Sequence, residues 1–211
     1  MEINNKKTKP NGETLIELLV ALAIFGIFIG AISGLLVSGM QAQRRVLATQ
    51  ELLNQASYVI EYITRALRMA VKDTSSSCIA GVTKANYWVD PEDPSFPQEG
   101  SGIRLLKSTA SGDICQEFYL DAGNILKEKR SSDKKANFDT DLPLISSNIT
   151  IISFKIKVSG DLFGNPPVAE NPNLQPRVTI FLELAGRETM GGRPSVRVQT
   201  SVSQRSLDVP N

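Results

Sequence analysis

The sequence predicts an α+β fold in which one long N-terminal helix, over about residues 14–71, lays its second half on an antiparallel β-sheet. Three observations predict it. No Asp, Glu, Lys or Arg occurs from Leu18 to Gln43, a run of 26 residues, and about 20 apolar residues suffice to span a bilayer. An amphipathic pattern free of glycine and proline then continues from Gln41 to Lys72. Beyond Ser77 the chain changes to segments of strand length, rich in β-branched and aromatic residues.

Composition narrows the function. The 211 residues are 41% hydrophobic and 21% charged with a formal net charge of +1, so the folded part lacks the basic surplus that phosphate neutralisation requires, and nucleic acid is not an expected partner. The absence of histidine removes the commonest general base and metal ligand. Two cysteines, Cys78 and Cys115, are too few for a four-thiolate site within one chain. No enzyme activity, cofactor or metal is therefore expected.

The helix start carries the chemistry. Met1–Gly12 holds Lys6, Lys7 and Lys9 against Glu2 alone, a basic stretch that the positive-inside rule keeps in the cytoplasm, with the rest of the chain outside. The uncharged run is longer than the roughly 7–15 apolar residues of a removable secretory signal. Glu17 stands inside the apolar pattern Leu15, Ile16, Leu18, Leu19, Val20. A carboxylate costs about 2.5–3.5 kcal/mol near a bilayer centre and less toward the interface, so it is a functional candidate in need of a partner. The alternative is a capping box, since Thr14 and Glu17 match S/T-x-x-E.

The stretch from Gly12-Glu13-Thr14-Leu15-Ile16-Glu17 through Leu18–Gly26 resembles the class III signal of type IV prepilins and type II secretion pseudopilins. The resemblance implies a pilin-like fold, cleavage directly after Gly12 by a prepilin peptidase, and N-methylation of Glu13. It also implies that Glu17, at the fifth mature position, pairs with the freed amine of a neighbouring subunit during filament assembly. The family usually has phenylalanine where Glu13 stands. Removal of residues 1–12 as a leader peptide would leave 20 basic and 21 acidic side chains. The other implied partners are further pilins or pseudopilins and an inner-membrane assembly platform. The implied location is a single-pass cytoplasmic-membrane protein with its C-terminal domain extracytoplasmic, and then a pilus or pseudopilus.

Residues 13–40 are expected to form the transmembrane and filament-core part of the helix. Gly26, Gly30, Gly34 and Ser38 recur every four residues, which places them on one face where backbones can approach closely. The other reading is that glycine is simply frequent in membrane helices. Many major pilins carry proline where Gly34 stands; without it the helix has no imposed kink.

Residues 41–72 form the amphipathic half. Val46, Leu53, Ile60 and Leu67 make one row and Thr49, Ala56, Ile63 and Ala70 the adjoining row of an apolar stripe that packs on the chain's own domain. A helix over 14–71 would have 58 residues and run about 87 Å at about 1.5 Å per residue.

Residues 73–211 are expected to complete one globular domain with 41–72. Strands are expected over Ile103–Lys107, Ile114–Leu120, Ile125–Arg130, Ile149–Val158, Arg177–Ala185 and Val196–Ser203. Ser111-Gly112-Asp113 and Ala122-Gly123-Asn124 should turn hairpins. Asn165–Pro172 and Arg187–Pro194 should be longer loops. On an extracytoplasmic domain Cys78 and Cys115 are read as a disulfide, the alternative being two buried thiols. The acidic segments Asp90–Pro94 and Asp139–Asp141 could offer calcium ligands but are better read as solvated loops, having no EF-hand spacing. Tyr87, Trp88 and Phe96 either form a contact surface or cover the sheet.

The run from Gln43-Arg44-Arg45 to Glu61–Ala70, the long strand-rich region and the tail Gln199–Arg205 resemble the PilW-like minor pilins and J-type pseudopilins. The function this implies is a structural subunit, a minor pilin or pseudopilin of a type IV pilus, type II secretion or competence filament. The alternative is a membrane-tethered extracytoplasmic binding module or adhesin.

Overall fold

The computed structural model describes residues 14–79, 85–91, 99–131, 133–160, 162–163, 168–169, 175–186 and 192–204. Helix α1, Leu15–Arg68, is followed by strands in the pilin-like α+β arrangement. They are β1 (Ala70–Val71), β2 (Tyr87–Pro91), β3 (Glu99–Thr109), β4 (Gly112–Leu120), β5 (Leu126–Arg130), β6 (Thr140–Pro143), β7 (Thr150–Ser159), β8 (Leu162–Phe163), β9 (Val168–Ala169), β10 (Arg177–Ala185) and β11 (Ser195–Ser203). The chain divides into two compact units, Met1–Arg44 and Arg45–Asn211.

In the second unit the sheet runs β11-β10-β7-β3-β4-β5-β6, with antiparallel pairings throughout. β3 organises it. One edge of β3 pairs with β4 at Gly102–Thr109 and, beyond it, with β7 at Glu99–Gly100; the other pairs with β2 at Gly100–Leu105 and β1 at Leu106–Lys107. β8 and β9 form a separate two-stranded ladder.

The expected helix end at residue 71 is corrected to Arg68. Nothing in the local sequence stops the helix there, and tertiary bonds do. Tyr87 Oη donates to the Leu67 carbonyl (2.8 Å), Ser108 N–H to the Met69 carbonyl (3.2 Å), and Ala70 and Val71 leave to pair with Lys107 and Leu106. These contacts satisfy backbone groups that any helix end leaves open, while Arg65 and Arg68 in the last turn complement the dipole.

The buried stripe of α1 is Leu52, Ala56, Val59, Ile63, Ala66 and Leu67. The expected row through Ala56 and Ile63 is buried, but Val46 (55% exposed) and Leu53 (46%) are not. A seven-residue row drifts about 20° per heptad around a straight helix. That drift carries this row from the flank of the helix at Val46 into the stripe at Leu67, and Leu52, Val59 and Ala66 take the place it was expected to fill.

Ile103, Leu105, Phe118, Ile156, Ile180 and Leu182 are among the sheet residues that close the core against this stripe. A β-bulge shifts the β7–β10 register, so that Ile151 faces Leu184 while Ser153 faces Glu183. The extra residue, Ile152, is exposed, and the strand keeps both Ile151 and Phe154 inside. A second cluster holds Cys78, Ile79, Ala85, Leu106 and Cys115, with Val71, Trp88, Ala136 and Phe138 packed on it. Neighbours in sequence therefore enter different cores: Leu105 and Tyr87 belong to the first, Leu106 and Trp88 to the second. Phe96 lies outside the described residues.

All six expected strands are present. β1, β2, β6 and β8 are additional, and β9 lies within the expected 165–172 loop. The first turn falls one residue earlier than expected: Thr109 pairs with Gly112, leaving Ala110 and Ser111 as the loop, and Gly112 adopts φ 124°. At the second, the Asp121 carboxylate accepts from Gly123 N–H (2.9 Å) and Ile125 N–H (2.8 Å), and Asn124 takes φ 57°.

Ile63→Ala should cost about 2–5 kcal/mol, because it opens a cavity between helix and sheet, whereas Leu53→Ala should cost under about 1 kcal/mol at its half-exposed position. Urea unfolding of the two variants followed by circular dichroism checks the contrast. Equal losses would show that the stripe is misassigned.

Candidate functional site

The site read from the sequence begins outside the described residues, which include neither Gly12 nor Glu13. At Thr14 the chain enters α1, and the Thr14 carbonyl accepts from Glu17 N–H (3.0 Å) and Leu18 N–H (3.3 Å). These are backbone bonds, and neither side-chain leg of a capping box is made among the described residues. The Glu17 carboxylate lies exposed in the first helical turn, with Leu15, Ile16, Leu18 and Leu19 exposed around it.

The following turns have the length and composition to cross a membrane, and none of that apolar stretch is buried within the chain. A Cβ placed on Gly26, Gly30 or Gly34 would meet nothing within 4 Å. The glycines therefore relieve no crowding inside this chain. Ser33 Oγ donates to the Ile29 carbonyl (2.8 Å), a local bond that satisfies a hydroxyl on an otherwise apolar helix.

An exposed carboxylate thus stands in the first helical turn, directly before a stretch, Leu18–Gln43, that is uncharged and exposed throughout. Residues 7–33 match the prokaryotic N-terminal methylation motif. The motif indicates a prepilin-type precursor. It spans the basic residues Lys7 and Lys9, the Gly12-Glu13 bond, Glu17 and the first two of the spaced glycines. No curated protein and no solved structure matches the chain.

In the second unit the structure joins Cys78 to Cys115, Cα to Cα 5.5 Å across a sequence separation of 37. Closing such a loop stabilises by about 4 kcal/mol in the chain-entropy model. Beside it lies a residue that the sequence did not single out. Asp73 is buried, and its Oδ2 accepts from Cys78 N–H and Ile79 N–H, both at 2.8 Å. Its Oδ1 accepts from Ser75 N–H (3.1 Å), Ser75 Oγ (3.1 Å) and Ser77 N–H (3.4 Å). Burial pushes this carboxyl up, but the hydrogen bonds from Ile79, Cys78, Ser75 and Ser77 together outweigh it and hold it below the usual carboxylate range. An Asp followed by serines at 75–77 is the only sequence signal, and it reads as an ordinary turn.

Two further side-chain networks were not legible. Tyr62 on α1 donates to Glu128 Oε2 (2.8 Å), and Arg130 bonds both Tyr62 and Glu128. Gln116 Nε2 also donates to the buried Glu128 carboxylate. Burial, and next the bond to Glu128, push the Tyr62 hydroxyl up to about 12. On the other sheet face Arg104 forms a two-pronged bond to Glu117 Oε2 (3.0 and 2.9 Å) between the rings of Trp88 (4.7 Å) and Phe138 (5.3 Å). Both networks position elements and leave no reactive group free.

Asp139–Asp141 is exposed, as expected of a solvated segment, but it is not all loop. Thr140 and Asp141 begin β6, where Tyr119 Oη lies 3.0 Å from each Asp141 oxygen and Lys127 Nζ 3.9 Å away. Of the other acidic segment, Asp90 and Pro91 belong to β2, and Glu92, Asp93 and Pro94 lie outside the described residues.

Because the folded pKa of Asp73 lies below its unfolded value of about 3.9, its contribution to stability is complete above that value and is lost as pH falls through the depressed folded one. Asp73→Asn should lower stability at pH 7 by about 1.5–3 kcal/mol, because its amide sets a donor against two buried N–H groups. Its unfolding midpoint should also fall less steeply than that of the parent chain below about pH 4. Denaturant titrations from pH 7 to pH 2 check both.

Proposed function

We propose that this chain is a structural subunit, a minor pilin or pseudopilin, assembled from the membrane into a type IV, type II secretion or competence filament after leader cleavage, and not an enzyme. The observation that carries the reading is the methylation motif at residues 7–33, continuous with a helix whose apolar first half has no partner inside the chain. A protein that keeps so much uncharged helix uncovered needs lipid before assembly and other helices after it. The basic residues Lys6, Lys7 and Lys9 favour a cytoplasmic N-terminus. The disulfide favours an extracytoplasmic second unit.

In this reading a prepilin peptidase cleaves after Gly12 and methylates Glu13, and Glu17 pairs with the new amine of an adjacent subunit. At low effective dielectric such a pair is far stronger than in water, and an unpaired partner leaves its desolvation cost standing. Register between subunits is thereby enforced by penalty as well as attraction. Gly26, Gly30 and Gly34 supply a face for close helix packing. The long strand-rich unit supports placement among PilW-like minor pilins and J-type pseudopilins, acting on an inner-membrane platform beside other pilins.

The processed protein should begin at Glu13 in N-terminal mass spectrometry, and Gly12→Ala should leave the precursor uncut. A mature chain beginning at Met1 in cells with active peptidase would sink the proposal. Glu17→Gln should leave insertion, cleavage and the disulfide intact while recovery in sheared fibres, or in complexes with partner pilins, drops severalfold on quantitative immunoblots. Unchanged incorporation would mean that the carboxylate has no assembly role.

A further inference from the structure

The two edges of the main sheet are built differently. β6 has four residues, ends in Pro143 and carries Asp141, features that blunt an edge against further pairing. β11 has nine residues, no proline and one charged side chain, Arg197, which is bound to Glu183. It pairs with β10 from Ser195 to Ser203 without a bulge. Among the described residues no strand covers its outer edge, so its outward N–H and C=O groups form a regular, unblunted row.

At the Ser201–Ser203 end of that row lies an open groove of about 820 Å³, within the range of about 300–1,000 Å³ common for ligand clefts. The end of α1 forms one wall through Glu61, Thr64, Arg65, Arg68 and Met69, and the last residues of β11, Ser201–Ser203, form the other. Arg65 is bound to Glu61 (2.9 Å). Arg68 is exposed and carries no ion pair among the described residues. Gln204, also in the lining, is 5% exposed; its Nε2 donates to the Ala70 carbonyl (3.3 Å), and its Oε1 is buried with no donor.

We infer that this groove receives an extended segment of another polypeptide, which adds to β11 as a further strand and sets an acidic side chain against Arg68. The main-chain row selects the occupant, because only another extended backbone matches its spacing over several residues. The unpaired guanidinium selects its charge. Gln204 Oε1, buried in the lining and without a donor, offers a further acceptor to an amide of the occupant. A second copy fits less well, because β11 contains no acid to meet Arg68. Small alternating side chains suit the β11 wall, where serines at 201 and 203 leave room. The inference concerns the second unit alone and does not depend on filament assembly.

The test uses the full chain in detergent micelles and a fluorescein-labelled eight-residue peptide alternating threonine and valine, with one aspartate near its end. Saturable binding by fluorescence anisotropy is expected, with slowed hydrogen exchange concentrated in residues 195–203. Arg68→Glu should weaken binding by about tenfold or more, and the same peptide with lysine in place of aspartate should prefer the Arg68→Glu chain. N-methylation of alternate peptide amides should abolish binding. Absence of saturable binding, indifference to N-methylation or indifference to Arg68→Glu would each overturn the inference. Protection of β11 that rises with protein concentration in the absence of peptide would overturn it in favour of self-pairing.

Discussion

A helix can hide one stripe against one sheet, and much of this structure answers to that constraint. From Leu52 to Leu67, α1 buries a single stripe of six residues, and the sheet closes on it. Before that the helix has apolar residues on every side and buries none of them. The two parts solve different solvent problems with the same hydrogen-bonded backbone. In the first, the backbone polar groups are satisfied internally, which is what a lipid environment demands. In the second, the stripe is narrow enough for charged residues such as Glu61 and Arg65 to remain in water on the other side.

The sheet in turn depends on β3. Its residues alternate between two cores, and four other strands pair along its edges. Leu105 faces the α1 stripe while Leu106 packs with the disulfide cluster, so one strand anchors two independent apolar groups. The second group is small. The Cys78–Cys115 bond and the hydrogen bonds converging on Asp73 reinforce it where apolar area is scarce. Helix and sheet are also tied by a polar clasp, Tyr62 to Glu128 and Arg130, set at the margin of the main core where Tyr62 meets Phe118 edge-on at 6.0 Å. A buried carboxylate with three donors tolerates little displacement, so the clasp restricts the register of α1 on the sheet.

The near-neutral sequence does not mean an uncharged surface. Charges are matched locally, as in Arg104 with Glu117, Lys127 with Asp121, Lys157 with Glu99 and Arg197 with Glu183. Arg68, exposed beside the unblunted edge of β11, has no ion-pair counterpart among the described residues, and neither have the exposed Arg44, Arg45 and Arg177. The two edges of one sheet are thus managed unequally, and the chemistry of the longer edge suits a peptide backbone.

What the sequence determined by itself was whatever depends on local pattern. The uncharged run from Leu18 to Gln43, the motif around Gly12 and Glu17, the α+β class and six strands were all legible, because periodicity, charge exclusion and turn residues act over a few positions. Where α1 ends was not, because its stop at Arg68 is made by Tyr87, Ser108 and the β3 edge, all distant in sequence. The stripe was legible in its Ala56–Ile63 row and at Leu67 but not at Leu52, Val59 and Ala66, since helix period and heptad spacing diverge and only contact with the sheet decides which flank is covered. Asp73, Glu128 and Arg104 looked like ordinary polar residues. Tertiary structure alone gave them their roles, because a carboxylate or guanidinium becomes a structural anchor only when folding removes its water and supplies its donors or acceptors from remote parts of the chain.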